Sequence, residues 1–278
     1  MRKIIIQLIC EDQLGIIAKI SSIILDSNSN ILSIEQHVDK NENKFYIRLL
    51  VDIRKINIDY KILENSLFKI NNKLGGQIKV FNADKKLKVA IFATKEAEPV
   101  YDILIKNQSK ELNCDIPIIV SNHSELSNIA DQFEINYEKI PSKQNVSEIE
   151  KILKDYSIDL IVLARFMQII PPKIVDIYEN RIINIHHGFL PAFKGARAYH
   201  QALQKGVKMI GATSHYVINK LDEGPIISQD VISIDHTFSI NQIIESGRQI
   251  EKNVLYKAVK SHIEHKIIVY NNKTIVFN

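Results

Sequence analysis

Ile182-Ile183-Asn184-Ile185-His186-His187-Gly188-Phe189-Leu190-Pro191 is the stretch from which both the fold and the candidate site follow. Its isoleucines read as a short buried strand, and Pro191 marks where the chain leaves the sheet. Side chains of an extended segment alternate faces, so Asn184 and His186 project to one side and Ile185 and His187 to the other. An amide donor and an imidazole therefore converge on one point. At the carboxyl end of a strand in an open α/β sheet, that point is where a substrate lies.

A single histidine at a strand end is more often packed than catalytic, so a second segment is needed. Leu221-Asp222-Glu223-Gly224-Pro225-Ile226-Ile227 supplies an acid ahead of a Gly-Pro turn and an apolar strand. Asp222 alone is explained as turn chemistry. Taken with Asn184 and His186, it completes a donor, an imidazole and an acid.

The chain around these segments is long enough, at 278 residues, for two domains. Its 45% hydrophobic and 24% charged content is that of a globular protein. Without an apolar run of about 18 residues or a secretory leader, a cytoplasmic location is expected, with no membrane partner. Cys10 and Cys114, the two cysteines, sit in apolar strand-like runs and read as small buried hydrophobes. The net charge of +4 comes from scattered lysines, which excludes a nucleic-acid surface and suits an anionic small molecule.

Residues 1–83 read as β-α-β-β-α-β, the ferredoxin-like split unit. Leu14, Ile17, Ile20, Ile23 and Ile24 form the expected inner stripe of its first helix; Ile62, Leu63, Leu67, Ile70 and Leu74 form that of the second. A four-stranded sheet with helices on one face leaves the other face to be covered, and pairing with another chain is the expected cover. A polar linker around Asn82–Lys86 leads into residues 84–278, where strands alternate with helices. That pattern predicts a mostly parallel doubly wound sheet, closed by a helix over Ser239–His262 and a hairpin around Asn271-Asn272-Lys273. The turn Ala93-Thr94-Lys95-Glu96-Ala97-Glu98-Pro99 has no glycine and two acids, so it cannot cradle a phosphate.

Asp12-Gln13-Leu14-Gly15-Ile16, with Asn30-Ile31 opening the second strand, resembles the ACT domain, which implies an amino-acid effector at a paired interface. Asp12, Gly15 and Asn30 are its candidate effector residues; Asp12 as a helix cap and Gly15 as relief from crowding is an equal alternative. Asn184-x-His186, Leu190-Pro191-x-Phe193-x-Gly195 and Asp222-Glu223-Gly224-Pro225 resemble the folate-dependent formyltransferases. The doubled His186-His187, the run Gly195-Ala196-Arg197-x-Tyr199-His200 and Gly211-Ala212-Thr213-x-His215-Tyr216 are similar to its hydrolytic branch, the formyltetrahydrofolate deformylases. That likeness covers essentially the whole chain.

The resemblance implies hydrolysis of 10-formyltetrahydrofolate to tetrahydrofolate and formate, supplying formate for purine synthesis and balancing one-carbon pools. It implies Asn184, His186 and Asp222 as the catalytic set. Phe166, Met167, Gln168, Ile169 and Ile170, with Ile218, Asn219 and Leu221, would line the pterin pocket; ordinary core is the alternative for Met167 and Ile169. Arg165 or Lys194 would meet the glutamyl tail. His187 stands where the transferases carry proline, and either orders the water or packs behind the site. Gly188 replaces the family's usual serine beside His186, and Ala198 its usual proline. Methionine and glycine are the implied effectors, and a homo-oligomer through the ACT units is implied. No cofactor or metal is expected, since His186 and His187 point to opposite faces of a strand. Formyl transfer to an amine such as glycinamide ribonucleotide is the alternative reaction.

Overall fold

A computed structural model describes residues 1–141, 145–193, 195 and 197–278. The chain divides into two units: Met1–Lys86 with Glu264–Tyr270 and Ile275–Asn278, and Leu87–Ile263 with Asn271–Thr274. The division drawn at residue 83 from the polar linker thus falls after Lys86. The carboxyl-terminal residues, assigned by sequence to the second domain, are shared between the two.

The first unit runs β1 (Lys3–Glu11), α1 (Ile16–Asp26), β2 (Asn30–Asp39), β3 (Lys44–Asp52), α2 (Tyr60–Leu74) and β4 (Gln77–Asn82). Its antiparallel sheet has the order β2-β3-β1-β4. Alternation along β1 aims Ile4, Ile6, Leu8 and Cys10 at the two helices, where they join Ile20, Ile24, Leu63 and Leu67 in one core. Gly15, at φ 82, turns the chain so that α1 starts at Ile16. The inward face is therefore Ile16, Ile20 and Ile24, and Leu14, expected in the stripe, is 96% exposed, with Ile17 also on the outside. In α2, capped by Asp59 and ended by Gly75 at φ 61, Leu63, Leu67 and Leu74 face inward and Ile62 outward.

The sheet's other face is partly covered by the chain's own end. Gln7 Nε2 donates to the carbonyls of His265 and Ile267 at 2.9 and 3.1 Å. Arg48 donates from Nε to His265 and from Nη2 to Glu264, both at 2.9 Å, while its Nη1 meets Glu35 Oε2 at 2.7 Å. Tyr46, Ile268 and Phe277 pack as a second small core, with Ile9, Tyr270 and Ile275 at its edge. Phe81 stacks on His265, ring centroids 4.0 Å apart.

The second unit runs β5 (Lys88–Ala93), α3 (Glu98–Gln108), β6 (Asp115–Ser121), α4 (Ser127–Gln132), β7 (Asn136–Lys139), α5 (Val146–Asp155), β8 (Leu160–Ala164), α6 (Pro172–Ile177), β9 (Ile182–His186), α7 (Ala198–Gln204), β10 (Met209–Tyr216), β11 (Ile226–Ser233) and α8 (Ile240–Ile263). The terminal hairpin is β12 (Ile267–Tyr270) with β13 (Lys273–Val276). The seven-stranded sheet has the order β11-β10-β9-β8-β5-β6-β7. Its strands are parallel from β9 to β7, and β10 and β11 are antiparallel, as their long β-rich runs predict. Strands β5 and β8 are buried along nearly their whole length because helices cover both sides. Strand order reverses between β5 and β8, so a crevice opens beyond their carboxyl ends, next to β9.

Arg48→Ala would strand a partly buried glutamate and two carbonyls. A loss of about 3 kcal/mol from the first unit's stability is expected in urea unfolding.

Candidate active site

Register places the site. Strand β9 pairs with β10 so that Asn184 lies opposite His215 and His186 opposite Thr213. His215 Nδ1 lies 2.9 Å from the Tyr216 carbonyl and must donate there, which leaves Nε2 as an acceptor. Asn184 Nδ2 donates to that nitrogen at 3.2 Å. The amide is thus fixed in orientation, with its second N–H still free to be offered. Burial pushes the His215 imidazole below its ordinary range, against the opposing pull of the Tyr216 carbonyl and Asp222, so it stays the neutral acceptor that Asn184 needs.

His186 is buried, with Nε2 3.0 Å from the Phe193 carbonyl and Nδ1 3.4 Å from Asp222 Oδ2. Asp222 Oδ1 stands 3.8 Å from His215 Nε2, and Oδ2 accepts the Gly195 N–H at 3.1 Å. One carboxylate therefore faces both imidazoles. Its residue adopts φ 55, a left-handed conformation that aspartate tolerates in turns. Two residues on, a Cβ on Gly224 would fall on the carbonyl of Tyr216, and Pro225 takes the Tyr216 N–H at 2.9 Å. Only glycine lets the Asp222 turn dock that closely on β10.

These groups open into a cavity of roughly 310 Å³, a size typical of small-molecule sites. Phe166, Met167, Gln168, Ile169 and Ile170 line it, as do Ile218, Asn219, Leu221 and His187. Within the loop after β8, Phe166 and Ile170 are buried anchors, Phe166 meeting Phe92 edge-on at 5.4 Å. Met167 and Ile169 are 54% and 76% exposed, so they are bare apolar walls of the cavity and not core. Asn219 donates to Asp176 at 2.8 Å and so secures its own loop. Gly188 does not line the cavity. It lies behind His186, where a Cβ would stand 2.9 Å from His186 Nε2 and 3.0 Å from both Ala198 Cβ and the Phe193 carbonyl.

Arg165 lines the cavity with its Nε 2.9 Å from the buried Glu251 Oε2, so its charge is already matched by a carboxylate. Lys194 lies outside the described residues. Thr213, present in a quoted motif but given no role by sequence, and Gln229, not singled out, hold the turn after β9: Thr213 Oγ1 donates to the Gly188 carbonyl at 2.8 Å and accepts from Leu190 N–H, and Gln229 donates to the Leu190 carbonyl. Asp12, Gly15 and Asn30 belong to the first unit, where Gly15, with no side-chain cap, opens α1, Asp12 N–H donates to Asn43, and Asn30 begins β2. Asp12 as the helix cap is therefore not what forms.

Residues 87–259 match the Formyl transferase family and residues 4–65 the ACT domain. The chain is 40% identical over 273 residues to a formyltetrahydrofolate deformylase of Synechocystis sp., covering 96% of both chains, and 39% identical over 275 residues to one of Bacillus subtilis, covering 97% and 92%. The crystal structure of a formyltetrahydrofolate deformylase from Pseudomonas syringae superposes with a TM-score of 0.95 at 35% identity, covering 100% and 95%. A phosphoribosylglycinamide formyltransferase from Anaplasma phagocytophilum gives a TM-score of 0.66 at 28% identity and spans 70% of this chain and 96% of its own.

Burial first, then Arg165 and His186, push the His187 imidazole down to about 3 from 6.5. The unfolded chain thus binds a proton there that the folded chain refuses, so stability is present above pH 6.5 and lost as pH falls toward 3. His187→Gln is expected to flatten that part of the curve, seen as a smaller drop in Tm between pH 7 and pH 4.5 than the parent chain shows.

Proposed function

Because the chain belongs to the formyltetrahydrofolate deformylase family, we propose that it hydrolyses 10-formyltetrahydrofolate to tetrahydrofolate and formate at the cavity beyond β8 and β9. The observation that carries this reading is Asp222 facing His186 and His215 at the closed end of a cavity whose mouth is apolar. A pterin ring needs flat apolar walls, which Met167, Ile169 and Leu221 present.

Water adds to the formyl carbon, and the carbonyl oxygen becomes an oxyanion. Asn184 donates its remaining amide N–H to that oxygen, its other one being held by His215. Asp222 takes the proton from the attacking water. His186, with a proton on Nδ1, donates to the oxyanion side and then to the departing nitrogen. The C–N bond breaks to give tetrahydrofolate and formic acid, which leaves as formate with its proton passing to solvent, and the proton on Asp222 passes to His186 Nδ1, 3.4 Å away, so that both groups are restored. No metal or cofactor enters this sequence, so full activity in chelator is expected.

Water as acceptor, rather than a phosphorylated amine, is supported at the start of α3. Glu96 and Glu98 stand there against Arg248 at 3.1 and 3.8 Å, and Lys252 reaches Glu98 at 3.9 Å. A phosphate would have to displace carboxylates. In this reading the reaction supplies formate for purine synthesis and balances one-carbon pools in the cytoplasm. The first unit senses methionine or glycine and pairs with a second copy. Part of its open face being covered by residues 264–270 and 275–277, pairing would use the edge strand β2, where Leu32 and Ile34 are half exposed.

Incubation with 10-formyltetrahydrofolate alone is expected to release formate; no release until an amine is added would point to the transferase instead. Asn184→Ala is expected to lower kcat by about 10²–10³ with little change in KM, since one oxyanion donor contributes about 3–4 kcal/mol.

A further inference from the structure

Beneath the cavity lies a buried ionic cluster that hydrolysis, as set out above, does not use. Glu251, in the middle of α8, is 3% exposed, although no packing requirement calls for a carboxylate there. Its Oε2 meets Arg165 Nε at 2.9 Å, and its Oε1 accepts the Tyr199 hydroxyl at 2.6 Å. Arg165 leads the loop that forms the apolar wall, with φ 59, and Tyr199 lies in the first turn of α7. One turn before Glu251 is Gly247, where any Cβ would collide with the Tyr199 ring. The helix is thus shaped around the tyrosine.

Between these two clamped side chains lies His187. Its ring is 5.7 Å from that of Tyr199 and 5.3 Å from that of His186, and it faces the cavity. Among the described residues it makes no hydrogen bond, so both ring nitrogens remain for a ligand or water. Burial and the nearby Arg165 keep the ring neutral, one nitrogen donating and the other accepting.

We propose that Glu251 is a positioning residue for hydrolysis: by engaging Arg165 and Tyr199 at once, it fixes the two walls that orient His187, and the His187 ring holds the attacking water. The inference rests on the deformylase reading. Arg165 comes from the loop after β8 and Tyr199 from α7, and without a shared acceptor each side chain is free to turn. A neutral imidazole held at that height supplies one acceptor for a water proton and one donor for its oxygen, which preorganises the nucleophile. His186 has its Nε2 on the Phe193 carbonyl, and its Nδ1 is the proton donor of the reaction, so neither nitrogen is left to hold the water.

A double-mutant cycle on formate release tests it, with Glu251→Gln, His187→Asn and the double variant measured at saturating 10-formyltetrahydrofolate per folded enzyme. Each single variant is expected to lower kcat by about 10–100-fold, with KM within about threefold. In the His187→Asn background, Glu251→Gln is expected to cost less than about threefold more. Glu251→Asp, which keeps the charge, is expected to recover part of kcat. Multiplicative losses in the double variant, or a raised KM at unchanged kcat, would overturn the inference and leave Glu251 as a brace for the folate loop only. If Glu251→Gln does not fold, Tyr199→Phe, which removes one of the two contacts and keeps the ring, takes its place in the same cycle under the same criteria. Absence of formate release by the parent chain would instead sink the deformylase reading, which separates the two failures.

Discussion

A carboxylate taken out of water has to be solvated by the protein, and the site follows from how that is done for Asp222. Its Oδ2 meets the His186 ring on β9 and the Gly195 N–H, while Oδ1 faces His215 on β10 at 3.8 Å, whose Nε2 carries no proton to give it. Burying the charge without those partners would cost several kcal/mol. The partners therefore are not optional, and their positions relative to one another are fixed by the same requirement. Asn184 joins because it lies across the ladder from His215, whose one free acceptor it occupies. Gly224 is the permissive element, since it is the missing Cβ that allows the acid-bearing turn to reach β10.

Much of this was legible in the sequence, and the limits have physical causes. Alternation along Ile182–His186 places Asn184 and His186 on one side without any knowledge of tertiary structure, because strand period is a local property. Helix positions were legible for the same reason, whereas the inward stripe of α1 was not. Leu14 has the right spacing, but the left-handed Gly15 excludes it from the helix, and periodicity counts residues without seeing where the helix starts. The role of His215 needed the β9–β10 register, a pairing across 31 residues. Thr213, Gln229 and Glu251 were silent for that reason too, each acting on a partner distant in the chain. The contribution of the chain's own end to the cover over the first sheet was not legible, because that end, read locally, is only a hairpin. Gln7 and Arg48, polar residues in the middle of strands, were the available sign that something polar had to meet them.

Helix α8 connects the two chemical preferences of the second unit. Residues four apart share a helix face, so Gly247 and Glu251 look toward Tyr199 and Arg165 while Arg248 and Lys252 look toward Glu96 and Glu98. One face supports the wall of the cavity, and the adjacent face fills the start of α3 with ion pairs. These surface pairs contribute little stability, given their exposure. Their consequence is for recognition: a helix start whose N–H groups would attract an anion carries two carboxylates, already matched by cations from α8, and an incoming phosphate must break those matches before gaining any of its own. An acceptor without a phosphate loses nothing there. Water is the smallest such acceptor, and the neutral His187 beside His186 gives it a place to bind that the larger acceptor would have to share.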